Sequence, residues 1–165
     1  MTHPKTHSSR SVLRWSLLTV PLVVVLGFLS GWLSGPAADS AWFDALAKPA
    51  IFPPPYAFGI VWPILYVLMG FALAHVLAAP KGPHRRHAVT MFAVQLAVNL
   101  LWSPIFFTAH LIAFAFVWIL LLIGLVLVTM ARFARVSRAA AALLLPYLAW
   151  IVFAAVLNLR FWQLN

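Results

Sequence analysis

The chain has no cysteine, and its 165 residues include only two acids, Asp39 and Asp44. The missing thiols exclude disulfides, cysteine-ligated zinc and thiol catalysis. No carboxylate falls inside an apolar run, which argues against proton-coupled transport. No Ser/His/Asp set and no glycine-rich phosphate loop can be found, and no set of metal ligands stands out. Charged residues make up 8% of the chain, against about a quarter in a soluble domain. What fills the space is apolar: 65% of residues are hydrophobic and the mean hydropathy is +1.02. These figures describe an integral membrane protein.

A helix needs about 20 apolar residues to cross the hydrocarbon core. Five segments qualify: Val12–Ser34, Tyr56–Ala78, Ala88–Thr108, Leu111–Met130 and Ala139–Trp162. The runs are continuous, whereas barrel strands alternate over about 10 residues. The expected fold is therefore an all-α membrane protein, a bundle of five transmembrane helices with a long structured loop between the first and second. Residues 1–11 read as a basic tail and 12–165 as the five-helix domain. The first run is long for a signal peptide and no small-x-small cleavage site follows it, so it is read as a retained helix. An odd number of spans without an internal repeat departs from the two-halves plan of many transporters.

The net charge of +9 does not point to nucleic acid, because the cations cluster at the ends of apolar runs. Lys5, Arg10, Arg14, Lys81, Arg85, Arg86, Arg132, Arg135 and Arg138 fall on one side of the membrane, and only Lys48 and Arg160 on the other. The positive-inside rule then places the N-terminus in the cytoplasm, with the first loop and the C-terminus outside. His84 and His87, flanking Arg85 and Arg86, read as lipid-headgroup contacts. His75, near the end of the second run, reads as an interfacial histidine rather than a haem ligand.

Polar side chains inside a bilayer are costly and face the protein interior. Gln95, Asn99, Trp102 and Phe106 share one helical face of the third span. Tyr147, Trp150, Ala154 and Asn158 do so in the fifth, and Trp62 and Tyr66 lie one turn apart in the second. If the three stripes converge, they either line a small-molecule cavity or tie the helices together by hydrogen bonds. Trp15, Trp32 and Trp162 lie near span ends, as belt residues do, and Trp118 is expected to face lipid or core. Gly27, Gly31 and Gly35 form a tandem GxxxG, and Ala93 and Ala97 a small-xxx-small pair, both suited to close helix contact. Pro63 is expected in the first turns of its helix. Pro104 and Pro146 lie deeper and free carbonyls that neighbours must satisfy. The run Pro53–Pro55 is expected to form a stiff polyproline segment that starts the second helix and holds the preceding loop over the bundle as a lid.

Four motifs carry a family resemblance: AWFDALAKP (41–49), PPPYAFGIVWPILY (53–66), QLAVNLLWSPIFF (95–107) and LPYLAWIVFAAVLN (145–158). In order and spacing the chain resembles the tryptophan-rich sensory protein/translocator protein family (TspO/MBR, peripheral-type benzodiazepine receptor), from the first span to the last residue. The resemblance implies a five-helix receptor, regulating tetrapyrrole metabolism or a stress response, that binds porphyrins such as protoporphyrin IX or a haem-like macrocycle, with no obligatory cofactor. In some members sterols and drug-like molecules also bind. It implies ligand-binding roles for Trp62, Tyr66, Asn99, Trp102, Trp150 and Ala154, with Tyr147 on the same stripe, and a covering role for Trp42, Pro53 and Pro54. It implies a homodimer contact at Ala93 and Ala97, and a bacterial cell-envelope location. Trp62 and Trp150 match the pair tied to light- and oxygen-dependent porphyrin breakdown. That activity is the alternative function, with porphyrin or sterol transport as another. The chain departs from the family at Ile51, where tryptophan is frequent, at Leu159 in place of a tyrosine of the sterol-associated segment, and at Gln163 and Leu164 in place of a charged pair.

Overall fold

The structure is a computed structural model that describes residues 9–35 and 40–165. Lys5 and Asp39 lie outside the described residues. Among the described residues, five helices are long and apolar enough to cross a membrane: Ser9–Leu33, Pro55–Leu77, Pro83–Thr108, Ile112–Ala134 and Arg138–Leu164. The count and order match the five apolar runs, and the chain is a multi-pass integral membrane protein. The helices outrun those runs at several ends. The apolar run measures hydrocarbon thickness, while a helix continues into the interfacial layer where charged side chains are solvated. Thus α1 (Ser9–Leu33) begins inside the basic tail, and α4 (Pro83–Ser103) takes His84, Arg85, Arg86 and His87 into its first turns.

Proline punctuates the bundle. Pro54, at φ −55° and ψ 140°, has polyproline geometry and caps α3 (Pro55–Leu77), with Pro55 as the first helical residue. Pro63 sits further in than expected, in the helix interior. Pro21 lies inside α1. Pro104 has no N–H to give Leu100, and Ser30 of α1 donates its hydroxyl to that carbonyl instead. From Pro104 the helix loosens into a π-helical turn, Pro104–Thr108. The last span is interrupted too: α6 (Arg138–Ala142) gives way at 143–144 to α7 (Leu145–Leu164), where Pro146 falls in the first turn.

Helix α3 packs chiefly on α1, and α5 (Ile112–Ala134) bridges α4 and α7. Helices α3 and α7 touch only sparingly. The α1–α3 contact depends on two glycines. A Cβ at Gly70 would stand 2.6 Å from the Cα of Val20, and one at Gly27 would stand 2.2 Å from the Tyr66 ring. Thr19 adds a buried hydrogen bond to the Gly70 carbonyl at 2.8 Å. The other members of the tandem GxxxG do different work. A Cβ at Gly31 would meet nothing within 4 Å, and Gly35 lies beyond the helix at φ +77°. Trp118 faces neither lipid nor core alone: half-buried, it donates its indole N–H to the Val98 carbonyl of α4 at 2.8 Å.

The α1–α3 connection contains a one-turn helix, α2 (Ala41–Ala45), which is capped by Ser40 accepting from the Phe43 N–H. This connection, the α4–α5 turn and the end of α7 form one face of the bundle, called here the loop face. Arg10, Arg14, Lys81, Arg85, Arg86, Arg132, Arg135 and Arg138 gather on the opposite, basic face.

Candidate ligand-binding cavity

The half of the bundle toward the basic face is filled, and the half toward the loop face is hollow. The change occurs at a polar floor. Tyr66 of α3 donates its hydroxyl to the Asn99 carbonyl of α4 at 3.2 Å. Behind it Tyr147 of α7, wholly buried, donates to the Gln95 carbonyl of α4 at 3.2 Å. The three stripes therefore converge. Bonds of this kind contribute roughly 0.6 kcal/mol on average within membranes, so they orient the helices more than they hold them together. Tyr147→Phe should cost ~1 kcal/mol by leaving the whole Gln95 carboxamide unpartnered, since its Nε2 already lacks a partner. A lower unfolding midpoint in detergent would register it.

Between the floor and α2 lies a cavity of about 580 Å³, within the ~300–1,000 Å³ usual for small-molecule sites. Trp62, Tyr66, Asn99, Trp102, Trp150 and Ala154 all line it. Trp62 stacks on Tyr66 with centroids 5.4 Å apart, and Trp102 on Phe106 at 5.1 Å. Three polar atoms of lining residues are buried without a hydrogen-bond partner among the described residues: Nε1 of Trp102, Nε1 of Trp150 and Oδ1 of Asn158. Asn158 is held by its other end, Nδ2 donating to the Ile112 carbonyl at 3.0 Å. These two indole donors and one amide acceptor lie behind the cavity surface, not on it. An unsatisfied buried group costs about 1–3 kcal/mol. Apart from Asp44, the described lining residues carry no carboxylate, and none carries a thiol. Among the described residues, the only charges beside the cavity are Asp44 and Lys48 at its rim.

Four residues of the expected set do not line the cavity. Tyr147 lies behind Trp62, edge to face at 6.5 Å. Trp42 turns away and stacks on His110 at 4.0 Å. Pro53 and Pro54 start α3 from above, and it is Pro55 that reaches the cavity. The covering is made by Phe43 and Phe52, which the sequence did not single out. Phe43 is buried and packs at 5.5–6.5 Å against Phe52, Phe106, Phe107 and Phe161. Asn165 clasps the segment behind it: the Ala47 N–H donates to Asn165 Oδ1 at 2.9 Å, and Asn165 Nδ2 donates to the Ala47 carbonyl at 3.2 Å. Helix α1 supplies another unforeseen wall, from Gly27 to Trp32. Ala93 and Ala97 both lie exposed on α4 and face away from the bundle.

The chain aligns with known proteins over three quarters of its length or more. It is 41% identical over 149 residues to the tryptophan-rich protein TspO of Chlorobaculum tepidum, covering 90% of this chain and 94% of that one. It is 40% identical over 127 residues to the translocator protein of Ovis aries, 75% of each chain. It is 36% identical over 124 residues to the tryptophan-rich sensory protein of Cereibacter sphaeroides, 75% of this chain and 77% of the other. The profile of the TspO/MBR family matches residues 19–163, from the middle of α1 to the penultimate residue of α7, which takes in every residue that lines the cavity, and the chain belongs to that family.

Proposed function

We propose that this protein is a membrane receptor that binds a porphyrin, or a similarly planar hydrophobic molecule, in the cavity between its helices, and so regulates tetrapyrrole metabolism or a stress response. The observation that carries the reading is the composition of the wall. Stacked aromatic faces suit a flat macrocycle, and the few polar side chains in the otherwise apolar lining, Asn99 and Ser103 among them, can fix its orientation. Lys48, beside the cavity at the loop face, is placed to pair with a carboxylate on the rim of such a ligand. The names of the relatives, sensory and translocator proteins, are compatible with a ligand-responsive role. The charge distribution supports a cytoplasmic basic face and an external loop face, and the bacterial relatives support a bacterial envelope. The exposed pair Ala93 and Ala97 offers a small-residue surface for a second copy.

A second reading is favoured by one feature: the indoles of Trp62 and Trp150 border the same cavity. Side chains able to donate electrons beside one macrocycle suit light-driven oxidation of the porphyrin by oxygen. Titration of protoporphyrin into the protein in nanodiscs, followed by tryptophan fluorescence, separates the two. Saturable quenching in the dark with an unchanged porphyrin spectrum in light is the receptor outcome. A new absorbing product that disappears in Trp150→Phe is the enzyme outcome. Absence of saturable quenching removes both.

A further inference from the structure

The cavity is closed at the loop face and open at its side. Phe43 and its aromatic neighbours fill the axial end, and the Asn165 clasp holds that segment down. On α4, α5 and α7 every lining residue is buried or half-buried. The exposed lining residues belong instead to α1, to α3 and to the connection between them. On α1, Phe28 is 61% and Trp32 77% exposed although both border the cavity. Gly31 of α1 and Gly59 of α3 are exposed, and a Cβ on either would meet nothing within 4 Å. Toward the basic face the same two helices touch, at Gly27–Tyr66 and Gly70–Val20. They therefore diverge toward the loop face, where the cavity lies.

We propose that the ligand reaches the cavity sideways from the bilayer, through a window between α1 and α3 framed by Gly31 and Gly59, in the leaflet on the loop face. The inference rests on the ligand-binding reading above. The chemistry of the frame fits an amphipathic molecule dissolved in that leaflet. Its lower rim is apolar (Phe28, Gly31, Trp32 and Gly59), and its upper rim, toward the loop face, holds Lys48 and Asp44. A flat apolar body passes below while a charged edge stays in the polar layer. The window stays fixed because α1 is anchored on both sides, to α3 through Thr19 and to α4 through Ser30.

The absence of native cysteine gives a direct test on folded protein. Gly31→Cys and Gly59→Cys are purified in nanodiscs, and saturable protoporphyrin quenching is first confirmed for each. A membrane-permeant thiosulfonate carrying a bulky aromatic group is then attached, and mass spectrometry verifies the modification. Stopped-flow quenching is recorded before and after. The expected result is that association and dissociation both slow by about tenfold or more, because one blocked passage serves both directions. A small methyl thiosulfonate should leave both rates within about twofold of the unmodified protein. Unchanged rates after full bulky modification overturn the window. So does faster association in Asn165→Ala, which frees the loop without touching the window and reports passage through the loop face. Failure of the wild type to quench saturably condemns the ligand reading itself; intact binding with insensitive rates condemns only the window.

Discussion

Gly70→Leu should prise the first two spanning helices apart. The backbone of Val20 occupies the space a side chain needs, with its Cα 2.6 Å and its N 3.0 Å from the position of the new Cβ. Backbone does not rotate aside as a side-chain tip does, so α1 must shift as a whole. Such a shift breaks the Thr19 hydrogen bond to the Gly70 carbonyl and withdraws Gly27 from Tyr66. Overpacking costs about 3 kcal/mol at the upper end of its usual range, which for a chain of this size lowers the unfolding midpoint by ~6–12 °C. Gly124→Leu is the matched control. It lies exposed in α5 with nothing within 4 Å, so loss of glycine there should leave the midpoint unchanged or raise it, by at most about 1 kcal/mol of helix propensity. Equal melting of the two variants would mean that the α1–α3 contact is not where the bundle is held.

Ala154→Phe should abolish ligand binding while leaving the fold intact. Ala154 borders the cavity on α7, in the same wall as Trp150. A phenyl ring there grows into empty space instead of into packed neighbours, and it takes up room that a macrocycle needs. The expected loss of protoporphyrin affinity is about 100-fold or more, equivalent to ~2.7 kcal/mol. The unfolding midpoint should hold or rise, because a void is being filled. Lost binding with a lowered midpoint would point to a damaged fold. Retained affinity would place the ligand elsewhere on the protein.

The contrast between these two sites marks what the sequence could and could not reveal. The spans were legible because hydrocarbon thickness imposes a minimum apolar length. The polar stripes were legible because Gln95, Asn99, Tyr147 and Asn158 recur at helical spacing where polarity is costly. Spacing gives a face, however, and not a depth. Tyr147 shares its face with Trp150 but sits one turn nearer the basic face, behind Trp62, and so becomes part of the floor. The loop was harder still. Trp42 looked like the covering residue, yet neighbours on a helix point about 100° apart, and α2 turns Phe43 inward while Trp42 stacks on His110. The wall from α1 left almost no trace, since a cavity is a place where atoms are missing. A GxxxG motif announces close approach without saying which of its glycines is touched.

Two kinds of glycine therefore sit on the α1–α3 seam, and descent should treat them differently. At 27 and 70 a single added carbon collides with the neighbouring helix, so lineages related to this chain should keep glycine there whatever ligand they have come to use. At 31 and 59 there is room for a carbon but not for a plug. Alanine and serine should come and go at those positions, and large side chains should appear only in descendants whose cavity has gone out of use.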